Sequence, residues 1–206
     1  NQYGNDAYNL SWSVKDIRDL AIAFSKHNGS NIIIDTLFDE NVTKPNILGL
    51  KNKLLQLTEN DKVIVSYSGH GVLSKDLDYF LSTYNISFEQ PQENGLPYEE
   101  LESLLDGIKK KKKLMLIDAC HSGEVDKEEF GRIELSKAVL STNGISARSS
   151  IKVSPKKSLG MTNSFELMQT LFSNVSRGTG ATIISAAGAM QYAQERSDLK
   201  NGVFTY

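Results

Sequence analysis

Two glycine-bounded segments hold the residues best able to do chemistry. Ser66-Tyr67-Ser68-Gly69-His70-Gly71 follows one apolar run, and Asp118-Ala119-Cys120-His121-Ser122-Gly123 follows another. Cys120 is the only cysteine of the 206 residues, and His27, His70 and His121 are the three histidines. A thiol becomes a nucleophile when a neighbouring base or cation stabilises its thiolate. Without such a partner a lone cysteine is usually a small buried hydrophobe. His121 adjoins Cys120, and adjacent side chains on extended backbone point to opposite sides. It is therefore a poor base and suits a turn-packing or hydrogen-bonding role. His27 ends an amphipathic helix, where a surface cation complements the carbonyl end. His70 arises from a different strand end, 50 residues before Cys120, which is how two side chains converge on one point.

Such convergence needs strands that end side by side. Val14, Ile17, Leu20, Ala21 and Phe24 recur at helical spacing, so a helix is expected over 13–27, with Ser13 as its N-cap and Gly29 beyond its end. Asn31–Leu37, with Ile32, Ile33 and Ile34, reads as a buried strand. Thr43 can cap a second helix with Pro45 in its first turn and Ile47, Leu50 and Leu54 inward. Strands are expected at Lys62–Tyr67, Tyr79–Thr83, Leu114–Ala119 and Thr182–Ser185, and a helix over 98–106 with Leu101, Leu104 and Leu105 inward and Gly107 at its end. Apolar strands alternating with amphipathic helices argue an α/β fold, a mostly parallel central sheet with helices on both faces. In such sheets the chemistry sits at the carboxyl ends of the strands, where both motifs fall.

Composition narrows the classes. Hydrophobic residues make up 39%, and 23% are charged, as in a folded soluble domain. The length favours one domain. A net charge of −2 gives no electrostatic reason for nucleic acid or an anionic membrane as partner. Lys109–Lys113 lacks interleaved aromatic residues and reads as a solvated turn. No apolar run reaches membrane-spanning length and no signal peptide is visible. A single cysteine forms no intrachain disulfide and fits a reducing compartment, so a cytoplasmic protein is expected. Neither end looks like a natural domain edge, and the chain is expected to be part of something longer.

Taken together, Ser68-Gly69-His70-Gly71 and Asp118-Ala119-Cys120-His121-Ser122-Gly123 resemble the caspase-like cysteine peptidases of clan CD. The second motif is similar to that of metacaspases and bacterial caspase-family proteins rather than to the Gln-Ala-Cys-Arg-Gly of animal caspases. The His-to-Cys separation is also like the caspase one. Leu10–Ile17 resembles the metacaspase segment Leu-x-Gly-Cys-x-Asn-Asp-Ala, with Asp16 on its last acid. Ser185–Glu195 and then Gly202-Val203-Phe204-Thr205 resemble the family's late strand and following loop. The resemblance implies a caspase-like three-layer sandwich in which Cys120 attacks a peptide carbonyl. His70 would activate the thiol and protonate the leaving amine, and the N–H groups of Gly71 and Cys120 would hold the oxyanion. It also implies a pocket for Arg or Lys built from Asp16, Asp118 and Ser68. Ser13 stands beside them where metacaspases often have Cys, a departure that changes pocket shape and not charge. A carboxyl at 118 would share the strand side of Cys120, two residues on, although satisfaction by backbone amides alone is the plainer reading. Cleavage after Arg or Lys of a protein or peptide substrate is thus expected, and not after Asp.

The stretch 124–161 has few periodic apolar positions and no convincing strand, and reads as an exposed insertion. By the resemblance it joins a large-subunit-like part, 1–123, to a small-subunit-like part, 162–206, of a single domain. Arg132, Lys137, Arg148, Lys152, Lys156 and Lys157 would there be sites of self-processing, against the alternative of a passive loop. No cofactor or metal is expected. Ca²⁺ activation, which some metacaspases require, is the one addition the resemblance allows. Asp126, Glu128 and Glu129, and Asp76 with Asp78, offer oxygens but no diagnostic spacing, so solvated acids are expected. The rival readings are a catalytically silent caspase-like scaffold, a zinc site on Cys120, His121 and His70, and a nucleotide-binding domain. The zinc site lacks a second cysteine and the usual ligand pairs; the nucleotide-binding domain lacks a glycine-rich phosphate loop. Further domains or partner chains outside the sequence are compatible with the resemblance.

Overall fold

A computed structural model of the chain describes residues 2–26, 31–76, 78–108, 112–119, 145–147, 180–186 and 194–206. Its centre is a parallel sheet of β1 (Val63–Ser68), β5 (Lys113–Asp118) and β7 (Thr182–Ser185), in the order β1-β5-β7. Two antiparallel sheets flank it: β2 (Gly71–Leu73), β3 (Tyr79–Leu81) and β4 (Leu96–Pro97) in one, and β6 (Ile145–Ala147), β8 (Gln194–Arg196) and β9 (Asn201–Gly202) in the other. Among the described residues the α-helices are α1 (Ser13–Ser25), α2 (Lys44–Gly49), α3 (Lys51–Leu54) and α4 (Tyr98–Ser103).

Alternation along the strands separates two faces. Val63, Val65 and Tyr67 of β1 and Met115 and Ile117 of β5 join one cluster with Ile47 of α2, Leu54 of α3, Leu101 of α4 and Leu104 and Leu105 just after it. Met115, Ile117 and Leu105 are completely buried there. The opposite face carries α1, which lies against β1 and β9. Helices therefore cover both sides of the sheet, the expected α/β sandwich.

Local chemistry explains the element ends. Thr43 caps α2, its hydroxyl accepting from the Asn46 N–H at 3.4 Å, with Pro45 in the first turn. After α4 the chain turns at Gly107, whose φ of +74° favours glycine. Lys113 departs from the expected solvated lysine run. It is buried, and its ammonium donates to the Leu105 carbonyl at 2.8 Å, where a cation satisfies the carbonyl end of a helix. Lys109–Lys111 lie outside the described residues, as does His27.

Three further expectations need correction. Ser13 is not the N-cap: Trp12 holds that position without a side-chain bond, and Ser13 is the first helical residue and buried. Asn31–Leu37 forms no strand and is not buried, Ile33 being 88% exposed. The run is apolar enough for a strand, but none of the described strands pairs with it. Only Leu37, at its end, packs on the core, and Asp35 is pinned by Lys53 at 2.5 Å. Finally, 124–161 does contain a strand: β6 pairs antiparallel with β8, Ser146 opposite Glu195. Three residues without a clear period are invisible to pattern reading, because a partner 49 positions away in sequence forms the ladder.

Burial separates the apolar residues that matter for stability from those that do not. In chemical denaturation, Leu105→Ala or Met115→Ala is expected to cost about 2–5 kcal/mol. Ile33→Ala is expected to stay within about 0.5 kcal/mol. Equal losses at Ile33 and Leu105 would contradict the correction to residues 31–37.

Candidate active site

β1 and β5 run in register from Val63 opposite Lys113 to Ser68 opposite Asp118. The Gly69 N–H then donates to the Asp118 carbonyl at 3.1 Å, so the loop carrying His70 stays tied to the end of β5. Gly69 is required by proximity and not by backbone freedom, since its φ is not positive. A Cβ there would stand 2.8 Å from Tyr67 Cζ and 3.1 Å from the Tyr3 hydroxyl. The Tyr67 ring thus folds under the turn. Its hydroxyl lies 2.9 Å from the His70 carbonyl and 3.0 Å from the Ser82 carbonyl, and burial pushes its phenol well above the ordinary value. It remains a neutral donor beneath the loop.

His70 is buried, with 3% of its surface exposed. Its Nε2 lies 2.8 Å from the Tyr8 carbonyl. A carbonyl only accepts, so this bond assigns the ring proton to Nε2 and makes Nδ1 the acceptor nitrogen of the neutral imidazole. An imidazole held in that tautomer can take a proton from a thiol at Nδ1. The ring is fixed by aromatic neighbours: Tyr3 at 5.3 Å between centroids, and Phe88 at 5.5 Å with the planes 84° apart. Phe88 in turn stacks on Tyr8 at 3.8 Å. The His70 N–H approaches Ser82 Oγ at 3.2 Å. Gly71, expected at the oxyanion hole, is buried in β2 opposite Leu81. Cys120 lies outside the described residues, as do His121 and the acids Asp126, Glu128 and Glu129.

The acids expected in the pocket are both at this end of the sheet and both buried. Asp16 is completely buried on α1, where its Oδ2 accepts from Ser68 Oγ at 3.0 Å and its Oδ1 from the Gly202 N–H at 2.7 Å. Ser13, one helical turn earlier, is buried on the same face. Asp118 is 2% exposed, and its Oδ2 accepts from Thr205 Oγ1 at 2.9 Å. Ser68, opposite Asp118 on the neighbouring strand, therefore bridges from β5's partner to Asp16. Further along α1, Lys15 and then Asn201 hold the Asp19 carboxyl below the usual range. Asp76 and Asp78 are in a turn where both N–H groups donate to Ser74 Oγ. Among the described residues no group of three or more His, Cys, Asp or Glu side chains could hold a metal ion.

Sequence reasoning missed Tyr8, Phe88, Glu195 and Thr205. Tyr8 acts through its carbonyl, which any residue type supplies, so its sequence carries no signal. Phe88 reaches His70 from the loop between β3 and β4 and belongs to no periodic pattern. Glu195 stood in a resembling segment, but a glutamate in a short strand is ordinarily read as solvated. Thr205 becomes visible only once the segment after β9 is seen beside the end of β5.

The carboxyl end of the parallel sheet thus gathers a buried histidine and two buried acids, Asp118 at the end of β5 and Asp16 on α1, where α/β folds carry their chemistry. A family model of the caspase domain matches residues 1–206, and the chain belongs to that family, one of cysteine peptidases. No curated protein matches the chain. Among solved structures it is similar to the crystal structure of protein GSU0716 from Geobacter sulfurreducens, with 20% identity and a TM-score of 0.57 over 96% of this chain and 71% of that one. At that identity the likeness speaks for the fold alone. Among the described residues no helix is long and apolar enough to cross a membrane.

Thr205 gives a direct test of how Asp118 is held. Thr205→Val removes the donor and keeps the shape, leaving a buried carboxyl short of one hydrogen bond. Thermal or urea denaturation is expected to show a loss of about 1–3 kcal/mol, with Thr205→Ser affected less. Equal losses in the two variants would mean that the methyl contact, and not the hydrogen bond, is what counts.

Proposed function

We propose that the protein is a cysteine endopeptidase that cleaves after Arg or Lys with Cys120 as nucleophile and His70 as base. The observation that carries this reading is the rung Ser68–Asp118. His70 and Cys120 each follow that rung by two residues in sequence, and the rung ends two adjacent parallel strands. His70 Nδ1 accepts the thiol proton, the thiolate adds to the peptide carbonyl, and the imidazolium returns the proton to the leaving amine. Water then hydrolyses the acyl-enzyme and frees the thiol. The N–H groups of Gly71 and Cys120 hold the oxyanion as charge develops. Asp16 and Asp118 supply negative charge to a pocket whose donors come from Ser68, Gly202 and Thr205. Burying an acid pair is costly unless a cation or donors compensate, and a guanidinium or ammonium at the first residue before the cleaved bond fits that charge.

Self-cleavage within 124–161 belongs to the same reading. Arg132 and Lys137 precede β6, and Arg148, Lys152, Lys156 and Lys157 follow it, so a cut before β6 would keep its pairing with β8 inside one fragment, and a cut after β6 would make that pairing a link between two fragments.

A fluorogenic peptide panel varying the residue before the cleaved bond, run with and without Ca²⁺, tests the proposal. Cleavage after Arg and Lys is expected. It should be abolished in Cys120→Ala and reduced about 10²-fold or more in His70→Ala, the scale of general acid–base catalysis. Intact mass of the same preparations should show fragments cut after basic residues of 124–161 in the wild type only. Cleavage solely after Asp would overturn the assigned specificity. Undiminished turnover by Cys120→Ala would overturn the mechanism.

A further inference from the structure

Glu195 is nearly fully buried on β8, 2% exposed, and has no part in the chemistry described above. Its two carboxylate oxygens accept from consecutive backbone amides, Oε2 from Ser11 N–H at 3.0 Å and Oε1 from Trp12 N–H at 2.9 Å. Those amides stand immediately before the first residue of α1. Trp12, the N-cap, makes no side-chain cap bond, and the carboxylate of Glu195, more than 180 positions away, takes the N–H of this N-cap residue and of the residue before it, as the glutamate of a capping box takes the N-cap N–H locally. A negative group there also suits the positive end of the helix.

The cross-strand partner of Glu195 on β9 is Gly202, and it is the Gly202 N–H that donates to Asp16 at 2.7 Å. One rung of the β8–β9 ladder thus grips the start of α1 at two points, residues 11 and 12 through a side chain and Asp16 through a backbone amide. Next along β9, Asn201 bonds both Asp19 and Lys15 at 3.0 and 3.1 Å. From this geometry we infer that Glu195 is a positioning residue for Asp16: it fixes the entry of α1 against the β8–β9 rung, and so sets where the buried Asp16 carboxyl meets Ser68 and a basic substrate side chain. Glu195 touches no substrate and acts only through Asp16. The inference rests on the proposed acidic pocket for its effect on specificity, and on the hydrogen bonds alone for its effect on geometry.

Glu195→Gln in the full chain keeps one acceptor oxygen and replaces the other by an amide that cannot accept. For an Arg peptide, KM is expected to rise about five- to twentyfold with kcat nearly unchanged, the signature of lost binding at a pocket whose chemistry is intact. In an Asp16→Asn background the same change should alter KM less than about twofold, because the group being positioned is gone. Full additivity of the two effects, or no effect of Glu195→Gln at all, would overturn the inference. Amide hydrogen exchange gives a readout independent of turnover. Protection of the Gly202 amide should fall together with that of Ser11 and Trp12, and an unchanged Gly202 amide would overturn the coupling. If the wild type cleaves no peptide, the proposed function fails while hydrogen exchange still decides the positioning role. Glu195→Asp, shortened by one methylene, carries the same expectations should Glu195→Gln not fold.

Discussion

The parallel pairing of β1 with β5, fixed at Ser68 opposite Asp118, is the constraint on which everything else depends. A slip of one residue would exchange the faces of every side chain on the strand. Tyr67 would then leave the core, and Ser68 would turn from Asp16. The alternation that turns Val63, Val65 and Tyr67 towards the core cluster shared with α2 and α4 sets that register. Core packing, and no local feature of the motif, therefore decides where the histidine loop begins.

Above that rung, neutral groups hold the loop. The Tyr67 hydroxyl supports its carbonyl side, Ser82 and Tyr3 approach the His70 amide, and Tyr8 and Phe88 confine the ring. Each bond contributes about 1 kcal/mol on its own; their joint effect is to restrict an imidazole to one orientation and one tautomer. The acids are organised differently. Asp16 takes one donor from Ser68, but Gly202 and Thr205, near the end of the sequence, donate to Asp16 and Asp118, so the acidic side of the site includes the β8–β9 hairpin docked on α1. The histidine side forms from residues 3–88, and the acid side needs residues 195–205 as well.

Much of this was legible in the sequence where a period or a punctuating residue spoke for it. The apolar strands β1, β5 and β7 and the helix with Leu101, Leu104 and Leu105 were readable because burial imposes a period. Thr43 and Pro45 marked a helix start correctly because a cap is a local interaction. The two glycine-bounded motifs pointed to the caspase-domain family. What was not legible depends on contacts distant in sequence. Ser13 looked like a cap, yet it is the first helical residue, and the N–H of the actual N-cap, Trp12, is taken by Glu195 from far along the chain. Ile32–Ile34 looked like a core strand, yet an apolar run is buried only where a partner covers it. Gly69 bounds the histidine motif, and it is glycine because Tyr67 lies against it.

The central claim is that His70 sets the reactivity of the Cys120 thiol. Because Cys120 is the only cysteine, the pH dependence of its alkylation rate reports that one group without ambiguity. An unperturbed thiol titrates near ~8.5. The account predicts an apparent pKa well below that value in the wild type and a return towards it in His70→Ala. The same titration curve in both proteins would contradict it.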